Sequence, residues 1–189
     1  LVEAGGYTQK QRDFWRSEFD GYNVATPGGG IVLMTRGTIV RSELVSLAGR
    51  GRCGRFQIEI DDGQLTVFVV DIASNPFISR RNAISALSEM IDSHGGEPLL
   101  IMGDFNIPTD SVFLDRLRRS CVNAFEVAGN GNSATWPSPV PVLSLDQVWI
   151  RGPLNAVSCR HLSNSQSDHL QVVTELSILQ VDSSAGESD

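Results

Sequence analysis

No stretch of this chain approaches the roughly 20 consecutive apolar residues that a membrane-spanning helix requires. A basic segment followed by a short apolar one, the mark of a secretory signal, is also missing. Cysteine is scarce. Cys53, Cys121 and Cys159 lie far apart and are odd in number, which argues against a disulfide framework or a thiolate metal cluster and leaves each as a small buried hydrophobe. Positive charge is in deficit, with 15 Lys and Arg against 22 Asp and Glu, for a net charge of -7. Broad nucleic-acid binding rests on Lys and Arg against phosphate, so this balance argues against it. Local basic patches remain at Arg50-Gly51-Arg52 with Arg55, at Arg80-Arg81, and at Arg116 with Arg118-Arg119. A surplus of carboxylates also suits a site for a hard divalent cation. No internal repeat is present.

What is there fits one domain: 189 residues are enough for a substantial core. Leu1-Val2-Glu3 reads as the end of a strand already under way, as in a piece of a longer protein. Thr8 with Gln11 three residues later forms a capping box for a helix through about Phe19. Tyr22 to Thr26, Ile31 to Thr35 and Thr38 to Leu44 are expected strands, the last two forming a hairpin around Arg36-Gly37. Arg55 to Ile60 alternates, and Asp61-Asp62-Gly63 turns the chain into the apolar run Leu65 to Asp71. Ile84, Leu87 and Ile91 form one stripe of a helix over Ser79 to Ser93.

The short run Leu99-Leu100-Ile101-Met102 suits a strand buried on both faces, followed by Gly103-Asp104-Phe105-Asn106. A further helix is expected from Ser111 to Arg119, and a strand at Ala124 to Ala128. Gly129 to Leu143 is a long polar loop with three prolines, a length that in a compact domain points to a functional or mobile segment. Trp136 within it suits either stacking on a base, contact with a lipid surface, or a structural place beside Pro137. Leu145 to Ile150, Asn155 to Leu162 and Leu170 to Leu179 complete the strands. Strands dominate, with helices interspersed, which fits a mixed α/β sandwich better than a doubly wound sheet.

Acids or a histidine stand at strand ends in five places: Glu3, Asp71, Asp104 with Asn106, Asp146, and Ser167-Asp168-His169. Strand ends converge at one sheet edge, where residues distant in sequence meet. Singly, each has a plain explanation as a cap or turn. Together they hold the parts phosphoester cleavage needs: carboxylates for a divalent metal, an acid to orient water, and an aspartate to fix an imidazole.

The ordered set Leu-Val-Glu3, Gly103-Asp104-Phe105-Asn106, Leu145-Asp146-Gln147-Val148-Trp149 and Ser167-Asp168-His169 resembles the endonuclease/exonuclease/phosphatase family. The resemblance runs from Glu3 to about Leu176 and implies one domain over residues 1–180, N-terminally incomplete, with a disordered acidic tail at 181–189. It implies a four-layered α/β sandwich of two mixed β-sheets flanked by helices. It also implies a metal-dependent phosphoesterase site using Mg2+ or Mn2+. Carried over residue by residue, Glu3 and Asp168 are the metal ligands. Asp104 aligns or deprotonates the attacking water, Asn106 contacts the phosphate, Asp146 orients the histidine, and His169 contacts the scissile phosphate.

Two departures accompany the resemblance. The family's Asn on a strand before the early Glu has no counterpart in this sequence, and the His or Tyr that usually follows the hairpin is replaced by Asp71-Ile72-Ala73-Ser74-Asn75. Asp71, Ser74 or Asn75 therefore stands near the phosphate, with Asn75 the expected substrate-binding side chain and Asp71 a candidate to draw in a second metal. The implied substrate is a phosphodiester or phosphomonoester of nucleic acid, a phospholipid head group or an inositol phosphate. No protein partner is expected and the domain is expected to be monomeric and soluble, with room for membrane segments upstream. The competing expectation is a catalytically silent binding domain on the same scaffold.

Overall fold

Strand β6 (Leu99–Asp104) sits inside the main sheet, parallel to β5 (Gly63–Asp71) on one side and antiparallel to β8 (Asp146–Arg151) on the other. This explains its uninterrupted apolar run. Leu99 and Ile101 pack on one face with Phe68, Val70 and Trp149, while Leu100 and Met102 pack on the opposite face. The computed structural model describes residues 2, 8–61, 63–75, 77–95 and 98–179. Glu3 and the expected tail at 181–189 lie outside them.

The sheet is mixed and six-stranded, in the order β3-β4-β5-β6-β8-β7, with β3 (Thr38–Leu47), β4 (Gly51–Ile60) and β7 (Val122–Asn123) completing it. One face is covered by α2 (Arg81–Asp92), whose Ala83, Ile84, Leu87 and Ile91 are buried, and by α3 (Asp115–Ser120) through Leu117. Each fully buried Ile or Leu side chain is worth about 1.5–3 kcal/mol of hydrophobic transfer. The other face meets two antiparallel ribbons, β1 (Asn23–Gly28) with β2 (Ile31–Thr35), and β9 (Leu154–Leu162) with β10 (Gln171–Ile178). Helix α1 (Gln9–Glu18) lies against β1, and its capping box is complete, with Thr8 and Gln11 bonding reciprocally. These layers make the expected α/β sandwich. Among the described residues, its second sheet layer consists of the two ribbons.

Two local expectations change. The hairpin around Arg36-Gly37 does not form: β2 pairs with β1, and β3 pairs with β4. Ile31 and Leu33 bury against Phe56, Ile58, Val67 and Val69, so β2 belongs to the layer facing the main sheet and Arg36-Gly37 crosses between layers. Ala124 to Ala128 is a short helix, α4, and not a strand. The Asn123 side chain accepts hydrogen bonds from the amides of Phe125 and Glu126, an N-cap that outweighs the β-propensity of Phe125 and Val127.

All three cysteines are buried and free, and burial pushes the Cys53 thiol up to about 12. Among the described residues no helix is long and apolar enough to cross a membrane.

Candidate active site

The end of β6 is shaped by a glycine. Gly103 has φ +139°, and a Cβ there would run into the carbonyl oxygen of Val70 on β5. Only a residue without a side chain allows that approach. The chain then delivers Asp104 in register with both neighbours: its Cα partners are Asp71 on β5 and Asp146 on β8. Asp71 is in turn the partner of Arg52 on β4. Residues paired across a sheet share a face, so Arg52, Asp71, Asp104 and Asp146 form one charged rung across four strands. They point toward the ribbon layer, the side on which Val67, Val69, Leu100, Met102 and Val148 also pack.

Asp104 is buried and its two oxygens are held by one residue. Oδ1 accepts from the Asn106 backbone amide at 2.8 Å, and Oδ2 from the Asn106 side-chain amide at 2.6 Å. The same amide nitrogen also donates to the carbonyl of Ile72 at 2.7 Å. Asn106 adopts φ +48°, a conformation that Asn tolerates better than most residues. Both of its side-chain hydrogens are engaged within the protein, so a phosphate contact from this amide requires one of those bonds to be exchanged.

Burial, and then the neighbouring Asp146 charge, push the Asp104 carboxyl up to about 7. The Asn106 amide and His169 oppose this rise, while Asp71 adds to it.

His169 completes the group. Its Nδ1 lies 2.7 Å from Oδ2 of Asp146, which leaves Nε2 as the ring's other hydrogen-bonding atom. Burial alone disfavours a charged imidazole, but the Asp146 hydrogen bond and charge, helped by Asp104 and Asp168, outweigh it and raise the pKa above the usual histidine range. The ligand atoms of Asp104, Asp146 and His169 all lie within 4.8 Å of one another, close enough to hold one metal ion.

Asp168 is exposed, and its Oδ2 accepts from the Trp136 indole N–H at 3.0 Å. That bond holds its carboxyl below the usual carboxylate range. The Asn75 side-chain oxygen accepts from the Phe77 amide at 2.9 Å and shapes the turn after β5.

One positioning element was not read from the sequence. The Thr135 hydroxyl is fully buried and accepts from the amides of Leu145 and Asp146, both at 3.1 Å. The Thr135 carbonyl accepts from Leu170 at 2.8 Å, and the Ser138 amide donates to the Asp168 carbonyl at 2.6 Å. Thr135 to Ser138 thus ties the start of β8 to the loop carrying Asp168 and His169. The unusual length of the 129–143 loop was the one sequence signal for this role.

Fold and site together define a phosphoesterase-type scaffold carrying an Asp-Asp-His group. The chain belongs to the endonuclease/exonuclease/phosphatase family, whose model matches residues 2–169. Among solved structures, the zebrafish (D. rerio) TDP2 complexed with a single-strand DNA product superposes with a TM-score of 0.71 at 12% identity, covering 94% of this chain and 83% of that one. A Bacteroides thetaiotaomicron mannosyl-6-phosphatase gives 0.69 at 14% identity, covering 89% and 82%. The human Nocturnin catalytic domain with bound sulfate gives 0.63 at 20% identity, covering 78% of this chain. The chain spans 62% of that domain's length. At these identities the likeness establishes a shared fold. No curated protein sequence matches.

Proposed function

We propose that this protein is a divalent-metal-dependent phosphoesterase that hydrolyses a phosphodiester or phosphomonoester. The observation that carries the reading is the meeting of Asp104 with the Asp146–His169 pair at one sheet edge. A carboxyl whose pKa is near 7 is matched to accepting a proton from water at neutral pH. Asp104 takes that proton as the water oxygen bonds to phosphorus and the ester P–O bond breaks, the departing oxygen taking up a proton from solvent. His169, held by Asp146 and favoured in its charged form, presents Nε2–H to a phosphoryl oxygen as negative charge builds. Asp146 fixes the tautomer and orientation of the ring.

The donor chemistry fits Mg2+ or Mn2+, since carboxylate oxygens suit hard cations and Asp168 presents an exposed carboxylate beside the histidine. Asp168, with Glu3 as named by the family resemblance, would hold the ion. When bound, the ion supplies charge neutralisation at the phosphate. Asn106 acts first on Asp104, fixing both of its oxygens, and would reach a phosphate oxygen by exchanging its bond to the Ile72 carbonyl. The ester's source is nucleic acid, a phospholipid head group or an inositol phosphate, the classes that the family resemblance implies.

Turnover of an aryl phosphodiester, an aryl phosphomonoester and plasmid DNA by the full-length protein, with Mg2+ or Mn2+ and with chelator, tests this reading. Metal-dependent turnover of at least one supports it. Silence toward every phosphoester class would favour a binding domain instead, a reading that the replacement of the usual His or Tyr by the Asp71 segment keeps in view.

A further inference from the structure

Arg52 forms the outer end of the charged rung, at the start of β4. Its Nη1 lies 3.8 Å from Oδ2 of Asp71, beyond hydrogen-bond range, and the arginine side chain is 46% exposed. An ion pair of this kind contributes little to stability. The one hydrogen bond the guanidinium makes among the described residues is from Nη1 to the carbonyl of Gly29, at 2.7 Å. That carbonyl belongs to the β1–β2 turn, and Gly29 is packed so closely on Arg52 that an added Cβ would meet its Cδ at 2.9 Å. The side chain is therefore steadied along its stem while most of its five N–H donors remain available. No other described member of the rung is a cation, since the remaining three are aspartates.

We propose that Arg52 is a specificity residue that engages a second phosphate on the substrate, separate from the phosphate being cleaved. This rests on the phosphoesterase reading for where the scissile phosphate sits.

The geometry sets the spacing. Adjacent strands lie about 4.8 Å apart, so the Arg52 backbone stands roughly 10 Å from that of Asp104, with Asp71 between them. The guanidinium reaches toward Asp71, which places its free donors about 5–10 Å from a phosphate held at Asp104 and His169. That interval suits the next phosphate along a short polynucleotide. A guanidinium fork binds such a group through two parallel hydrogen bonds, which a point charge does not reproduce. A net charge of -7 provides no general attraction for a long duplex. A single well-placed arginine gives selectivity for a short strand or an end without one.

Binding tests this without requiring turnover. The probes are the dinucleotide TpT and its 5′- and 3′-phosphorylated forms, titrated calorimetrically with Mg2+ into full-length protein carrying H169A, which slows cleavage, with the dinucleotides checked for integrity after each titration. One of the phosphorylated forms should bind about tenfold to a hundredfold tighter than TpT, the range expected for charge-assisted hydrogen bonds. R52A should bring that ratio close to one, and R52K should restore only part of it. Thermal unfolding of each variant shows that the fold is intact, and R52K provides the comparison if R52A is unstable. Equal affinity for all three dinucleotides, a preference that survives R52A, or no measurable binding of either phosphorylated form would overturn the proposal. Absence of hydrolysis by the wild-type protein would instead strike the phosphoesterase reading and leave the affinity ratio to decide on Arg52.

Discussion

His169 Nδ1 and Asp146 Oδ2, 2.7 Å apart, join two parts of the chain separated by 23 residues at the edge of the main sheet. The contact fixes which ring nitrogen faces the protein and which is left for a substrate. Thr135 supports both sides of it, through the Asp146 amide and through the amide of Leu170, next to His169.

The Asp104 carboxyl gives a pH dependence with a definite sign. Its pKa is about 7 in the fold against an ordinary value of 3.8, so between those values the folded protein holds a proton that the unfolded chain has released. Stability therefore falls as pH rises through that window, by on the order of a few kcal/mol. An Asn at this position carries no such charge. The Tm of Asp104→Asn relative to wild type should accordingly move in the variant's favour from pH 4 to pH 8 in chelator. Parallel Tm curves across that range would show that Asp104 ionises normally.

Divalent cation should reverse that penalty. An ion near Asp104 and Asp168 stabilises their charged forms and binds the folded state alone. Saturation to about 100 times Kd adds about 2.7 kcal/mol. Differential scanning calorimetry with Mn2+ and with chelator should show the rise, larger at pH 8 than at pH 5. A Tm indifferent to Mn2+ would mean that this site does not hold the ion.

Trp136 should matter through its N–H. Trp136→Phe keeps an aromatic ring but removes the hydrogen bond that orients the Asp168 carboxylate. Loss of such an outer contact typically weakens metal binding about 10- to 100-fold. Calorimetric titration with Mn2+ checks the affinity, and Tm should change little. Unaltered affinity would confine Trp136 to packing.

Gly103→Ala should be severe. The position combines φ +139° with contact against the Val70 carbonyl, so a methyl group forces β5 and β6 apart at the point where Asp71 and Asp104 pair. The expected loss is on the order of 3–5 kcal/mol, measured by urea unfolding. Wild-type stability in the variant would mean that the strand end is looser than the register indicates.

The periodic elements were legible in the sequence because each buries a recognisable face. Examples are Ile84, Leu87 and Ile91 on α2, and the hairpin turning at Asp61 and Gly63. The acids were legible as strand ends, and the pairing of Asp104 with Asp146 follows from where β6 ends and β8 begins. What was hidden depends on tertiary contact. The apolar residues of β2 fit a hairpin with β3 locally and are claimed by the opposite layer. The five residues of α4 fit a strand until Asn123 caps them. Arg52 was visible only as one of several basic residues, because its place beside Asp71 needs the register of β4 against β5. Thr135 itself was not marked beyond the length of its loop, since the amides it serves lie ten and eleven residues away.

The most direct test of the central claim is the turnover number of His169→Ala against wild type, in the full-length protein, on whichever phosphoester it cleaves with Mg2+ or Mn2+. Loss of the oriented imidazole should lower kcat by about 10²- to 10⁴-fold with the fold intact. A variant that turns over at the wild-type rate would contradict the assignment of the Asp146–His169 pair to the reaction.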